Sequence, residues 1–300
     1  MPPMPEEKPS LPKTSVLLAP FNCAEALRRC LRALERSENR EAFEVIVVDN
    51  GSRDGTPQLE SEFPAATFLK LPRHFGLAKA RNIGARTATG EFLLLLDPHV
   101  EVEPTTVPRL IEALHGAPQT GAATAVFEPA QPNYPLPTPA DLYRLWRSGV
   151  HPAPKPAGPD LEWVAAWALI VRKEFVRGMN YFDERLANHW GDLELCWQLR
   201  HAGKKILPVP EARACYVAEP EDVPPDVRAA VSADMAHSAA AYVAKHHGAG
   251  AGLSFRLKAV LAGAVSAAGA VLRARDVRFH TARCVGLLTG QRIDGSQGSI

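Results

Sequence analysis

Asp97-Pro98-His99 sets a carboxylate and an imidazole two residues apart, directly after the apolar run Glu91 to Leu96. A hard oxygen beside a borderline nitrogen suits a divalent cation, Mn2+ better than Mg2+, and such a cation would clamp a diphosphate. An Asp that ends a strand also serves as a turn or cap residue, so the triplet alone leaves both readings open. Asp49 to Thr56 (DNGSRDGT) has the same two readings: turn and cap chemistry, or a strand-end carboxylate that accepts hydrogen bonds from a base or ribose. His74 to Asn82 opens a helix at Gly76 with Lys79 and Arg81 in its first turns, which suits either a bound anion or a solvated charged face. In His189 to Glu194, Asp192 and Glu194 flank a helix start. Either acid could serve the helix dipole, and Asp192 could instead take a proton from a bound hydroxyl.

The elements that must position these residues alternate. Ser15 to Ala19, Phe43 to Val48, Thr67 to Leu71 and Glu91 to Leu96 are short apolar runs, with helical spacing over Ala24 to Leu34 and Gly76 to Thr87. Continuous apolar strands alternating with helices predict an α/β fold, a mostly parallel sheet covered on both faces, with Glu91 to Leu96 at its centre. Ligands of such sheets sit beyond the carboxyl ends of the strands, so Asp49 and Asp97 should face one crevice. Nine prolines between Glu128 and Pro159 predict a loop without a long helix. Order should return at Trp163 to Val171, followed by a helix over Asp192 to Ala202, a short strand at Ile206 to Val209, and helices over Asp226 to His247 and Leu253 to about Arg278.

Composition bounds the class. The chain has 300 residues, 46% of them hydrophobic and 22% charged, and a net charge of +1. That allows a real core and gives no general pull toward nucleic acid. The five cysteines show no metal-type or C-x-x-C spacing and read as reduced thiols of a cytoplasmic protein. Residues 1–13 read as a disordered leader, 14–224 as the catalytic domain and 225–300 as a helical extension. The longest apolar run, Val260 to Leu272, falls short of the roughly 20 residues that span a bilayer, so no transmembrane helix is expected. From Leu253 to Arg292 there are seven Lys and Arg residues against Asp276 alone, which suits peripheral contact with an anionic membrane or, equally, solvated arginines on a packed helix.

Taken together, the four segments resemble the family 2 glycosyltransferases of the GT-A fold, and within them the bacterial rhamnosyltransferase-like members. Ala19-Pro20-Phe21-Asn22 is similar to the family's opening, Asp49 to Thr56 to its D-N-G-S-x-D-G-T signature, His74 to Asn82 to N-x-G-x-A-x-A-R-N, and Tyr181 to Arg185 to G-F-D-E-R. The resemblance covers about residues 14 to 250. It implies an inverting transfer of a sugar from a UDP- or dTDP-linked donor to a saccharide or lipid-linked acceptor, in cell-surface polysaccharide or glycoconjugate synthesis. It implies donor contacts from Pro20, Phe21, Asn22, Asp49, Gly51, Ser52, Gly76, Lys79, Arg81 and Asp97. It also implies Mn2+ or Mg2+ on Asp97 and His99, and Asp192 as catalytic base. D-x-H in place of D-x-D is shared with the polypeptide N-acetylgalactosaminyltransferases, whose W-G-G-E-N segment is similar to Trp190-Gly191-Asp192. Gly191 stands where the family has Glu, and Tyr216 where a metal-binding His often follows the last strand. These departures keep a second expectation open, a nucleotide-sugar-binding protein without catalysis. A nucleotidyltransferase or a dehydrogenase is disfavoured because no Gly-rich phosphate loop follows the first strand.

Overall fold

The computed structural model describes residues 13–156, 158–217, 224–272 and 277–290, so most of the expected leader and Arg273, Arg275, Asp276 and Arg292 lie outside the described residues. The first half alternates as β1 (Thr14–Leu18), α1 (Ala24–Glu35), β2 (Phe43–Asp49), β3 (Ala66–Lys70), α2 (Leu77–Thr87) and β4 (Phe92–Leu96). There follow β5 (Val100–Val102), α3 (Thr106–His115), β6 (Thr120–Phe127), α4 (Pro139–Ser148), β7 (Ala168–Arg172), α5 (Lys173–Gly178), α6 (Gly191–His201) and β8 (Lys205–Tyr216). The chain ends in α7 (Pro225–His247), α8 (Ala249–Leu272) and α9 (Val277–Thr289).

Among the described residues the strands form one sheet in the order β3-β2-β1-β4-β7-β6-β8-β5. β3, β2, β1 and β4 are parallel, β7 runs antiparallel to both β4 and β6, and β5 is antiparallel to β8. Both faces are covered. Leu17, Ile46, Leu93 and Leu95 meet α2, α6 and α7 on one side, while Val16, Leu18, Leu94 and Leu96 meet α1 and α3 on the other. This two-sided burial is why β1 and β4 read as unbroken apolar runs rather than alternating ones.

Several expectations are corrected. The Pro-rich stretch contains α4, ten residues long, because its proline sits at the first helical turn, where no amide hydrogen bond is lost, and Thr138 and Asp141 close a capping box. The order expected from Trp163 begins as a strand only at Ala168; Trp163 itself makes an isolated bridge to Tyr134. The last strand is twelve residues, with register shifts against β6, rather than four. Between β2 and β3 the chain makes a 3-10 helix, Thr56–Ser61, for which the sequence offered no reading. The helix expected from Leu253 is described as α8 from Ala249 to Leu272, residues 273–276 lie outside the described residues, and α9 is described from Val277. At 24 residues, α8 is long and apolar enough by length and composition to cross a membrane, because Gly and Ala extend the run N-terminally beyond Val260. β5, α3 and β6 were not expected from the sequence.

Candidate functional site

The carboxyl ends of β1, β2 and β4 open onto two adjoining cavities. One, of about 190 Å³, is lined by Phe21, Asn50, His74, Asp97 and His99 among others. The other, of about 460 Å³, is lined by Tyr134, Trp163, Trp167, Trp190, Gly191 and Asp192 among others. Leu77, Arg81, Asp97, Asn188 and His189 line both, so the cavities meet at a cation and a carboxylate.

Asp97 follows β4, its amide donating to the Trp167 carbonyl at 2.9 Å. Its Oδ1 accepts from the His99 amide at 2.9 Å and lies 3.0 Å from His99 Nδ1, which fixes the imidazole beside it. The His99 ring centroid is 5.8 Å from that of Tyr216, and Tyr216 stacks on Trp167 at 4.5 Å. A cation would thus meet one carboxylate and one imidazole, and no cluster of three His, Cys, Asp or Glu occurs among the described residues. That donor set fits a Mn2+ or Mg2+ completed by water and substrate phosphates, the usual arrangement where such ions bind nucleotides.

The loop after β2 is built for position. Asp49 is buried and accepts from the Ser52 amide at 3.0 Å; burial pushes its carboxyl up despite that bond. The Ser52 hydroxyl accepts from the Asn22 amide at 2.9 Å, and Asn22 Oδ1 accepts from the Arg53 amide at 2.8 Å. Asp54 accepts from the Ala24 amide at 2.9 Å, capping α1 from a different segment. Gly51, at φ 82°, lies so close to the 73–74 backbone that a Cβ would sit 2.2 Å from the Arg73 carbonyl carbon. Asn50 Oδ1, accepting from the Phe75 amide at 3.0 Å, fastens the same two loops.

On α2, only one of the two cations reaches the crevice. Lys79 and Arg81 are two residues apart, about 200° around the helix, so they face opposite sides. Arg81 lines both cavities, with Asp192 and Asp97 as its electrostatic partners. Lys79 is half exposed, 3.8 Å from Glu184, and lines neither. The anion site expected at the α2 N-terminus is partly consumed by the protein: the Leu77 amide donates to Asn188 Oδ1 at 3.0 Å and the Ala78 amide to the Ala187 carbonyl at 2.9 Å. Gly76 closes against Ala187, 3.2 Å from where its Cβ would lie. Pro20, Asn22, Asp49, Gly51, Ser52 and Gly76 line neither cavity; they shape the loops that do.

Asp192 and Glu194 are also split by about 200°. Asp192 faces the larger cavity, and burial pushes its carboxyl up, opposed by the Leu193 amide and Arg81. Glu194 turns the other way, to Lys245 at 2.8 Å and His246 at 2.5 Å on α7. The loop before Asp192 is strained, with Ala187 at φ 48° and Trp190 at φ 64°. It is held by Asp234 of α7, which accepts from Asn188 Nδ2 at 3.1 Å, and by the Trp190 indole donating to the Met235 carbonyl at 3.0 Å. Asn82 grips Phe182 through both amide directions, at 2.8 and 2.9 Å.

Sequence reasoning did not identify Asn188, Asp234 or the aromatic wall. Trp163, His151 and Tyr134 stand together, the last two stacked at 4.5 Å, and the Trp163 indole nitrogen is buried without a hydrogen-bond partner. Three aromatics within the Pro-rich stretch and just after it were the available signal.

The sheet thus brings a carboxylate at the end of β4, a cation on α2 and an acid on α6 to one crevice. Residues 15–156, just under half of the chain, match the family Glycosyl transferase family 2. It is 27% identical over 219 residues to the pre-mycofactocin glycosyltransferase of Mycobacterium tuberculosis, covering 71% of this chain and 44% of that protein. It is 25% identical over 237 residues to that organism's N-acetylglucosaminyl-diphospho-decaprenol L-rhamnosyltransferase, covering 69% and 75% respectively. The fold is similar to the mannosyltransferase PcManGT from Pyrobaculum calidifontis, solved in complex with GDP-Man and Mn2+ (TM-score 0.55, 19% identity, 94% of this chain and 88% of that one). The chain spans less than half the length of several of the curated relatives it matches.

Proposed function

We infer that this chain transfers a sugar, with inversion, from a nucleoside-diphosphate donor to a hydroxyl acceptor. The observation that carries the reading is the junction of two cavities at Arg81 and Asp97, with Asp192 in the larger one. The smaller cavity takes the nucleotide of a UDP- or dTDP-linked donor, its base resting near Phe21 and His74, whose rings lie 4.4 Å apart. The larger takes a saccharide or lipid-linked acceptor. Residues 14–224 carry the donor and catalytic residues, and the helical extension 225–300 supports the acceptor side through Asp234. The cytoplasmic face of a membrane is the setting this reading favours.

In the reaction, the acceptor oxygen bonds to the anomeric carbon as the bond from that carbon to the diphosphate breaks. Asp192 takes the hydroxyl proton during attack, since a carboxylate is too weak a base to ionise an alcohol beforehand. Arg81 offers its charge to the departing diphosphate. A divalent cation held by Asp97 and His99 would, when bound, neutralise the same developing charge.

The test is nucleoside diphosphate release across a donor and acceptor screen with Mn2+ or Mg2+, repeated for Asp192→Asn. Expected is retained donor binding by calorimetry with turnover reduced by about a hundredfold or more. Donor binding without turnover by the unaltered chain would favour a binding protein, and unchanged turnover in Asp192→Asn would remove its role as base.

A further inference from the structure

Among the described residues, one face of α8 is left uncovered. Leu253, Leu257, Leu261 and Val265, spaced four apart, are each between 59 and 64% exposed, and Leu272 continues the line at 87%. At about 100° per residue they fall within an arc of about 120°. The opposite face is spoken for: Gly252, Phe255, Ala259, Ala262 and Gly263 are buried against the neighbouring helices. A folded protein that left such a stripe in water would expose a contiguous apolar patch, which marks a binding surface.

The charge around the stripe identifies its occupant. On the same helical projection the exposed Arg256 and Lys258 fall on its two sides, one flanking each edge. Neither α8 nor α9 contains an Asp or Glu, while Arg278 adds an exposed cation on α9. An aliphatic arc edged by long cationic side chains suits the boundary of acyl chains and anionic headgroups, where the stems lie along the apolar region and the charges reach the phosphates. We propose that this face of α8 docks the protein on an anionic bilayer, with the helix lying in the membrane plane. In-plane contact follows from the packing, because α8 cannot cross the bilayer while its other face is buried on α7 and α9.

The contact also has a consequence for the acceptor. Met235 of α7 lines the larger cavity and packs on the cluster that includes Ala259 and Ala262 of α8. Tyr143 of α4 meets Phe255 edge-on at 5.8 Å. Docking through α8 therefore holds the larger cavity near the lipid surface, where a lipid-linked saccharide would present its sugar. This consequence rests on the proposed acceptor site; the docking itself does not.

The experiment is flotation of the full chain with phosphatidylcholine vesicles, with and without phosphatidylglycerol. It is run for the unaltered protein and for Leu257→Glu/Leu261→Glu, with circular dichroism and donor calorimetry as checks of fold and of the nucleotide site. The expected result is binding only to the anionic vesicles, weakened by about tenfold or more in the double variant with donor affinity unchanged. A conservative Leu257→Met/Leu261→Met variant should bind as the parent does. Absence of flotation, or flotation indifferent to the Glu substitutions, overturns the proposal. So does a parent that is dimeric by light scattering and becomes monomeric in the Glu variant without any vesicle binding, which would make the stripe a contact between two copies. Loss of turnover with intact flotation would count against the enzymatic reading alone.

Discussion

Asp192 lies where burial and a nearby cation pull in opposite directions, and burial prevails: its carboxyl is raised above the ordinary range. As a proton acceptor it must be ionised, so turnover is expected to fall as pH drops through a value above the roughly 3.9 of a free Asp. A kcat/KM profile against pH checks this, and the acid limb should be absent from the residual activity of Asp192→Asn. Trp163 makes a second prediction at this scale. Its indole N–H is buried in the larger cavity with no partner, so an acceptor hydroxyl is the natural one. Trp163→Phe should raise the acceptor KM by about two- to tenfold, the worth of one hydrogen bond, and leave the donor KM unchanged. A shift in the donor KM would move Trp163 out of the acceptor site.

At the scale of elements, α6 and α7 form one unit around Glu194. Burial alone would push that carboxyl up, but hydrogen bonds from Gln198, Lys245 and His246 hold it below the ordinary range. A depressed folded-state pKa stabilises the fold above the unfolded value of about 4.3, and that stability is lost as pH falls through the folded one. Glu194→Ala leaves Lys245 and His246 of α7 facing an empty position and should cost about 3 kcal/mol or more in chemical denaturation at neutral pH. A cost near zero would show that α7 docks without this pair. The sequence made α6 legible, through the acids at its start and Gly203 after its end. The pairing with α7 was not legible, because Glu194, Lys245 and His246 are brought together by tertiary packing over some fifty residues.

For the whole molecule, charge is uneven although the net charge is only +1. Helices α8 and α9 carry cations and no Asp or Glu, while the carboxylates of Asp97 and Asp192 line the crevice. Docking through α8 combines apolar burial with screened attraction, so the vesicle binding proposed above should weaken on raising salt from 0.05 to about 0.5 M without vanishing. The flotation assay run at both salt concentrations measures that division.

The order of apolar runs and the strand-end carboxylates already determined the α/β class and put Asp97 at the crevice, because a strand buried on both faces must be apolar and must end where the backbone turns to solvent. The helical period also separates Arg81 from Lys79 and Asp192 from Glu194, although it does not say which member of each pair turns inward. Only the tertiary structure decided that, by laying α2 and α6 against particular neighbours. It alone showed that Asn22, Ser52 and Asp54 hydrogen-bond one loop to another, and that Asp234, more than forty residues downstream, steadies the loop before Asp192. Such contacts join residues whose separation along the chain carries no period, so no local pattern records them.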